Sequence, residues 1–419
     1  MPKEFEHLDK RRPVRISTTI AVADDPRGVH ATEVVKQLDA ELEAYWRNLR
    51  DGRSDDARTR FEAAQRRIRS FGLTYKTADE IAAGPIADLV SRVQILLDRG
   101  SVEDGPEVAA LLGGEPRIKL QLSDLLAEFE NLQSASLAKM SRDQLRIWRN
   151  TRRRAIANLT DIIGDKALSE VTRDDTMRYR LWWQQRIIAD GRDIGTANKE
   201  IGQLSKMFKT VDRAHQLHLT QVFAELRIEG EEDKSRAAFT AKFVQKRILA
   251  PDALADLNDE ARDLILIVAD TGLRPVEACN LGRETIWLSG DTPHVRVRPI
   301  GRTLKTRQSE RDIPLVGCAL EAAMRHPDGF PRYRDKSSSL SGLVNKFMLA
   351  RGLRPTPAHS LYSLRHTFED RLTAVEAPEK VIASLMGHKW IRPKYGAGPS
   401  LEQKQSWLAR IAFTPPGHG

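Results

Sequence analysis

Two cysteines in 419 residues, Cys279 and Cys318, are too few for a disulfide framework or a structural zinc site. No apolar run approaches the ~20 residues needed to cross a bilayer. The charged start Met1-Pro2-Lys3-Glu4-Phe5-Glu6 does not have the form of a signal peptide. A glycine-rich, lysine-containing phosphate loop is also absent, and no acidic or histidine cluster has metal-ligand spacing. These absences lead us to expect a cytoplasmic chain with no membrane association, no metal and no cofactor. There is no fixed-period repeat or low-complexity tract.

What the chain does have is charge. Residues of the DEKR set make up 30% of it, the net charge is +9 and the pI is about 9.5. That balance favours a polyanionic partner, which points towards nucleic acid without establishing it. The length allows two or three domains, each with its own core.

Three segments are expected. The first, residues 1 to 115, begins with a strand-like alternation, Val14-Arg15-Ile16-Ser17-Thr18-Thr19-Ile20, followed by a helical pattern of Val34, Leu38, Leu42 and Trp46. It is read as an extra N-terminal α/β region that contacts arm-type DNA or regulates the protein. Leu112-Gly113-Gly114-Glu115-Pro116 reads as a linker. Residues 118 to 230 read as a mainly helical domain. Leu122, Leu125, Leu126 and Phe129 form one apolar face. Ile147, Ile156, Leu159 and Ile162-Ile163 form another, closed by Gly164, and Ala197, Ile201, Leu204, Met207 and Phe208 a third. Arg152, Arg153 and Arg154 on the second helix either follow a phosphate backbone or make a solvated basic face. Residues 236 to 419 change to an α+β pattern. Leu264 to Val268 lies in a buried helix. His294 to Arg298 alternates as a strand, and Asp312-Ile313-Pro314-Leu315 ends its hairpin partner, with Pro314 at an edge or terminus.

Four motifs in this last segment carry chemistry. In Asp270-Thr271-Gly272-Leu273-Arg274-Pro275-Val276-Glu277, Gly272 ends one helix and Pro275 opens the next. Arg274 is thereby fixed at the junction, with Glu277 one turn on to orient it. In Ser360-Leu361-Tyr362-Ser363-Leu364-Arg365-His366-Thr367-Phe368, Leu364, Phe368 and Leu372 are the buried stripe. Tyr362 and Arg365 share a face near the helix N-terminus. Between these lies Thr303-Leu304-Lys305-Thr306-Arg307-Gln308-Ser309, in the hairpin turn. Finally, a helix from Pro378 to Leu385 is closed by Gly387, which presents His388, and Tyr395 follows seven positions later in Arg392-Pro393-Lys394-Tyr395-Gly396. Arginine forks suit phosphate oxygens, and a phenol can serve as a nucleophile. Each motif alone has an ordinary structural explanation.

Together these residues resemble the catalytic domain of the tyrosine recombinases, particularly phage-type integrases, from roughly 236 to 413. The helical segment before it resembles their core-binding domain. The resemblance implies that Arg274 and Arg365 clamp a scissile phosphate, Lys305 is the general acid, His388 donates a hydrogen bond to phosphate and Tyr395 is the nucleophile. Glu277 would support the first arginine and His366 would be a structural histidine beside the second. It also implies double-stranded DNA as substrate, a homotetramer on DNA, a DNA-bending accessory protein as candidate partner, and prophage or genomic-island recombination through a 3′-phosphotyrosyl link. Two departures stand out. Tyr362 occupies a position where the family has histidine, and the interval from His388 to Tyr395 is shorter than usual. The Arg-Pro-Lys-Tyr-Gly run resembles a variant in some proteobacterial prophage integrases. A binding-only degenerate integrase and a type IB topoisomerase-like nicking-closing enzyme are the alternatives. The helix carrying Leu401, Trp407, Leu408 and Ile411 packs either on its own domain or on a neighbouring protomer.

Overall fold

The computed structural model describes residues 55–116, 119–215, 221–232, 236–389 and 398–416, with a few single positions outside these spans. The expected strand at Val14 to Ile20 and most of the helical pattern from Val34 to Leu42 lie outside the described residues. The chain groups into two compact units, 1–132 with 151–230, and 133–150 with 231–419. Among the described residues the protein is mostly helical with one three-stranded sheet, as the sequence pattern indicates for a helical segment followed by an α+β one.

The first unit contains α1 (Asp55–Ser70), α2 (Ile86–Arg99), α3 (Gly105–Leu112) and α4 (Leu125–Leu132). Helix α5 (Arg142–Ile163) contributes its second half, and α6 (Arg173–Asp190) and α7 (Ile194–His215) follow. The α7 stripe of Ala197, Ile201, Leu204, Met207 and Phe208 is buried as its spacing predicts, and α7 packs on α4. Phe129, Leu122 and Leu125 complete that contact. The α5 face is narrower than expected, because Ile147 is exposed while Ile156 and Leu159 are buried. Ile147 precedes the part of α5 that belongs to this core. The segment around Glu115 is held in place: the Tyr75 hydroxyl donates to the Glu115 carbonyl at 2.5 Å and Arg60 pairs with the Glu115 carboxylate at 3.0 Å.

The second unit is built on α8 (Asp259–Thr271), in which residues Leu264 to Thr271 are all buried. Each leucine or isoleucine fully buried there contributes about 1.5–3 kcal/mol. Helix α8 packs against α9 (Gly317–Arg325) and α11 (Ser363–Ala374). Helices α10 (Ser337–Ala350), α12 (Glu379–Met386) and α13 (Leu401–Ala409) complete the unit. The sheet is β1 (Ile286–Trp287), β2 (His294–Val297) and β3 (Arg311–Pro314), in that order and antiparallel. Val295 pairs with Ile313 and His294 with Pro314. Proline thus falls at the end of an edge strand, where its missing N–H costs no ladder bond. The short β1 had no sequence signal of its own.

Helix α13 lies on β3 of its own unit. Leu408 is fully buried, and Lys404 Nζ donates to the Asp312 carbonyl at 3.0 Å. Beyond it, the main chain at Ile411 and Phe413 reaches a buried ion pair. Asp270 accepts from the N–H groups of Cys318 and Phe413, and from Arg371 Nη2 at 2.7 Å. Arg371 also donates to the Ala269 and Ile411 carbonyls and stacks over the Phe413 ring.

At its N-terminal end α5 is docked within the second unit. The Asp335 carboxylate accepts from Ser141 Oγ at 2.5 Å and from Asp143 N–H at 2.9 Å. An anion there satisfies one of the free donors of the first turn and complements the helix dipole.

Candidate active site

Helix α8 ends at Gly272, whose left-handed conformation (φ +63°) turns the chain sharply. A Cβ at this position would lie 2.3 Å from the Phe368 ring, so α8 and α11 approach closely only because it is glycine. Leu273 is buried, and Arg274 then caps the short helical turn Pro275–Ala278. Glu277 reaches back to it: Arg274 N–H donates to Oε2 at 2.9 Å and Arg274 Nη1 to Oε1 at 2.7 Å. The orienting contact expected of Glu277 is present.

Arg365 enters from α11, only 2% exposed. Its Nη1 donates to the Gly272 carbonyl at 2.5 Å and its Nη2 to the Met386 carbonyl at 2.6 Å. The guanidinium therefore bolts together the C-terminal ends of α8 and α12, whose last carbonyls have no helical partner. Two residues past Met386, beyond the left-handed Gly387, His388 Nε2 stands 3.3 Å from Arg365 Nη2. Because arginine can only donate, this contact makes Nε2 the acceptor and places the imidazole proton on Nδ1, which faces Glu369 Oε1 at 3.7 Å. Burial, with Arg365, Arg274 and Arg311 nearby, lowers the His388 pKa against the opposing pull of Glu369.

A third arginine belongs to this cluster and was not read from the sequence. Arg311, on β3, donates to Glu277 Oε2 at 2.9 Å, to the Leu385 carbonyl at 2.6 Å and to the Ser309 carbonyl at 2.7 Å. It is 7% exposed and joins the Arg274 turn to the end of α12. A signal existed: Arg311 shares strand parity with Ile313, so it had to point into the core.

Two guanidiniums, of Arg274 and Arg311, thus hold one buried carboxylate, and the Arg365 charge lies near enough to feel all three. Burial pushes the Glu277 carboxyl up, but Arg311 and Arg274 outweigh it and hold it at about 2. Burial and the charges of Arg274 and Arg311 bring Arg365 down to about 10. Since the folded-state value of Glu277 lies below its ordinary 4.5, its stabilisation is complete above that value and lost as pH falls towards 2. We expect the denaturant midpoint of the wild type to drop across this window. Glu277→Gln, lacking the titration, should drop less steeply; parallel curves would show that Glu277 is not held this way.

The remaining predicted residues fall as follows. Lys305 is exposed on the loop between β2 and β3. That loop is tied to the cluster through Thr306 Oγ1, 3.2 Å from Ser309 Oγ, which in turn lies 3.4 Å from Arg274 Nη1. Tyr362 is half-buried at the start of α11, with Arg236 over its ring and the His366 ring 5.5 Å away. The neighbouring His359, not one of the predicted residues, is bonded to Thr356 and to the Ala238 carbonyl. Tyr395 lies outside the described residues. A cleft of about 690 Å³, lined among others by Arg307, Arg311, Lys380, His388 and Lys404, opens beside the cluster.

The Arg152-Arg153-Arg154 run does not act as one face, because neighbouring helical residues point ~100° apart. Arg154 pairs with the buried Glu200 at 2.6 Å, Arg152 is half-buried with its guanidinium over Phe129, and Arg153 is exposed.

No protein-family model and no curated protein matches the chain. Solved structures do. The integrase of transposon Tn1549 in complex with transposon right end DNA shares 18% identity over 65% of this chain and 92% of that one, with a TM-score of 0.45. A lambda integrase dimer bound to a COC′ core site shares 18% over 65% and 75%, with a TM-score of 0.46. The integrase from mycobacterium phage Brujita shares 18% over 68% and 92%, with a TM-score of 0.33.

Proposed function

We propose that the protein is a site-specific DNA strand transferase of the tyrosine recombinase kind. What supports this reading is the cluster of Arg274 and Arg311 on the buried Glu277 carboxylate, with the Arg365 guanidinium close by and in contact with His388. Three positive charges against one negative in a desolvated site favour an anion, and strongly so one whose charge grows in the transition state. A phosphodiester attacked at phosphorus is such an anion.

In this reading the Tyr395 oxygen forms a bond to phosphorus, its proton passes to water, and the bond from phosphorus to the 5′ oxygen breaks. Lys305 supplies the proton for that oxygen. Arg274 and Arg365 hold the non-bridging oxygens, and Arg311 acts through Glu277 and α12. His388 turns from its contact with Arg365 to donate to the phosphate. Attack by a 5′ hydroxyl of another strand reverses the step, so no external energy source is needed. Double-stranded DNA is the substrate, a homotetramer the working assembly, and prophage or genomic-island recombination the biological reaction. Tyr362, in place of the histidine seen in the family, favours a binding-only protein as the second reading, since a phenol is a poorer proton acceptor than an imidazole.

The test is a nicked suicide duplex built from the DNA flanking the gene. Wild type should form an SDS-resistant protein–DNA adduct that Tyr395→Phe does not form. An adduct surviving in the variant moves the nucleophile elsewhere, with Tyr362 the first candidate. A mobility shift without adduct supports the binding-only reading. Relaxation of plasmid lacking a defined site would indicate a nicking-closing enzyme instead.

A further inference from the structure

The hairpin loop from 298 to 310 carries Lys305 on little regular structure, so something must fix where that lysine stands. Three attachments are present. Arg302 Nη1 donates to the Val276 carbonyl at 2.6 Å, and Ser309, which meets Thr306, lies 3.4 Å from Arg274 Nη1. The third comes from α5. Gln144 Nε2 donates to the Thr303 carbonyl at 2.9 Å, and Gln144 Oε1 accepts from Thr303 N–H at 3.0 Å. One side-chain amide thus engages both main-chain polar groups of Thr303, as a neighbouring strand would. Leu304 packs against the hydrophobic core, and Lys305 follows it.

Gln144 is itself held firmly. It shares a reciprocal pair of hydrogen bonds with Ser141, and Asp335 anchors Ser141 and Asp143. All of these residues belong to the second unit. Gln144 therefore has two separable roles: it caps α5 through Ser141 and clamps the Lys305 loop through Thr303.

From this geometry we infer that Gln144 is a positioning residue for Lys305, holding the loop so that the ammonium group reaches the departing 5′ oxygen. The inference rests on the reading of Lys305 as general acid. The same helix carries Arg152, Arg153 and Arg154 about two to three turns further on. The residue that sets the proton donor is thus on the element that carries this basic run.

Chemistry separates this role from a structural one. A 5′ oxygen leaves as a strongly basic alkoxide unless it is protonated, whereas a sulfur in the same bridging position leaves as a thiolate, whose conjugate acid has a pKa of about 8.5. Loss of the general acid should slow cleavage at oxygen by about 100-fold or more and leave cleavage at sulfur near the wild-type rate. The experiment measures adduct formation by full-length protein on matched suicide duplexes with oxygen or sulfur at the scissile 5′ position. Lys305→Ala, Gln144→Glu, Gln144→Ala and Ser141→Ala are compared with wild type. Gln144→Glu keeps the acceptor used by Ser141 but sets a carboxylate oxygen against the Thr303 carbonyl. Both Gln144 variants should be about 10-fold or more slower on oxygen and near wild type on sulfur. Ser141→Ala, which removes the cap and the Asp335 contact of Ser141 but leaves the Gln144–Thr303 pair, should be far less affected on oxygen. Gln144 variants slow on both substrates, or normal on both, overturn the proposal. If Lys305→Ala is itself slow on sulfur, the general-acid reading of Lys305 fails, and the positioning role falls with it. That outcome is distinguished by the behaviour of the Lys305 variant.

Discussion

Arg365→Lys is expected to slow covalent adduct formation about 100- to 1,000-fold, while affinity for the same duplex, read by mobility shift, changes little. The physical reason lies in the two carbonyls that Arg365 bridges. A planar fork donates to Gly272 and Met386 at once and stays charged, whereas an ammonium is a point charge that cannot span both with the same geometry. The charge survives in the lysine variant, and so does non-specific attraction to DNA. In the proposed reaction, what is lost is the arrangement of donors at the phosphate, which acts mainly on the transition state. Arg274→Lys should behave alike, with Glu277 still paired to Arg311. Alanine is the poorer probe at 365, because it orphans two carbonyls at about 1–3 kcal/mol each and so mixes stability with catalysis. Equal losses of binding and cleavage in the lysine variants would show that these arginines chiefly hold the duplex.

Asp270→Ala is expected to cost about 3–5 kcal/mol of stability, read as a lower denaturant midpoint of the full-length protein. Asp270 is 1% exposed and accepts from four groups: the N–H groups of Cys318 and Phe413, the Cys318 thiol, and Arg371. Removing it strands the Arg371 guanidinium, 7% exposed, with no counter-charge. Asp270→Leu combined with Arg371→Met, which removes both charges, should be more stable than Asp270→Ala. A loss below ~1 kcal/mol for Asp270→Ala would mean that water or a rearranged tail compensates for the missing carboxylate.

Local pattern carried much of the fold and part of the site. The buried stripe of α7, the apolar run of α8, the glycine-closed ends at Gly272 and Gly387 and the edge proline of β3 were all visible as spacing. So were Arg274, Glu277 and His388, beside junctions that Gly272, Pro275 and Gly387 announce, and Arg365, in the first turn of a helix marked by its apolar stripe. What was not visible depends on partners far away in the sequence. Gln144 meets Thr303 across 159 positions and Arg154 meets Glu200 across 46, and no periodicity reports such pairs. Arg154 therefore read as part of a basic face when it is tied to a buried carboxylate. Arg311 was hidden for a related reason: a charge on the buried side of a strand has meaning only once Glu277 is known to face it.

The ion pair that joins Asp270 and Arg371 to residues 411 and 413 also bears on biosynthesis. Asp270 leaves the ribosome 143 positions ahead of Phe413. At ~5–20 residues per second the wait is roughly 7–30 s. During that interval the helix that ends at Gly272 has its carboxylate but not the Phe413 amide that helps to enclose it. The helix that leads into the Arg274 turn is thus fully enclosed only after residue 413 has been made.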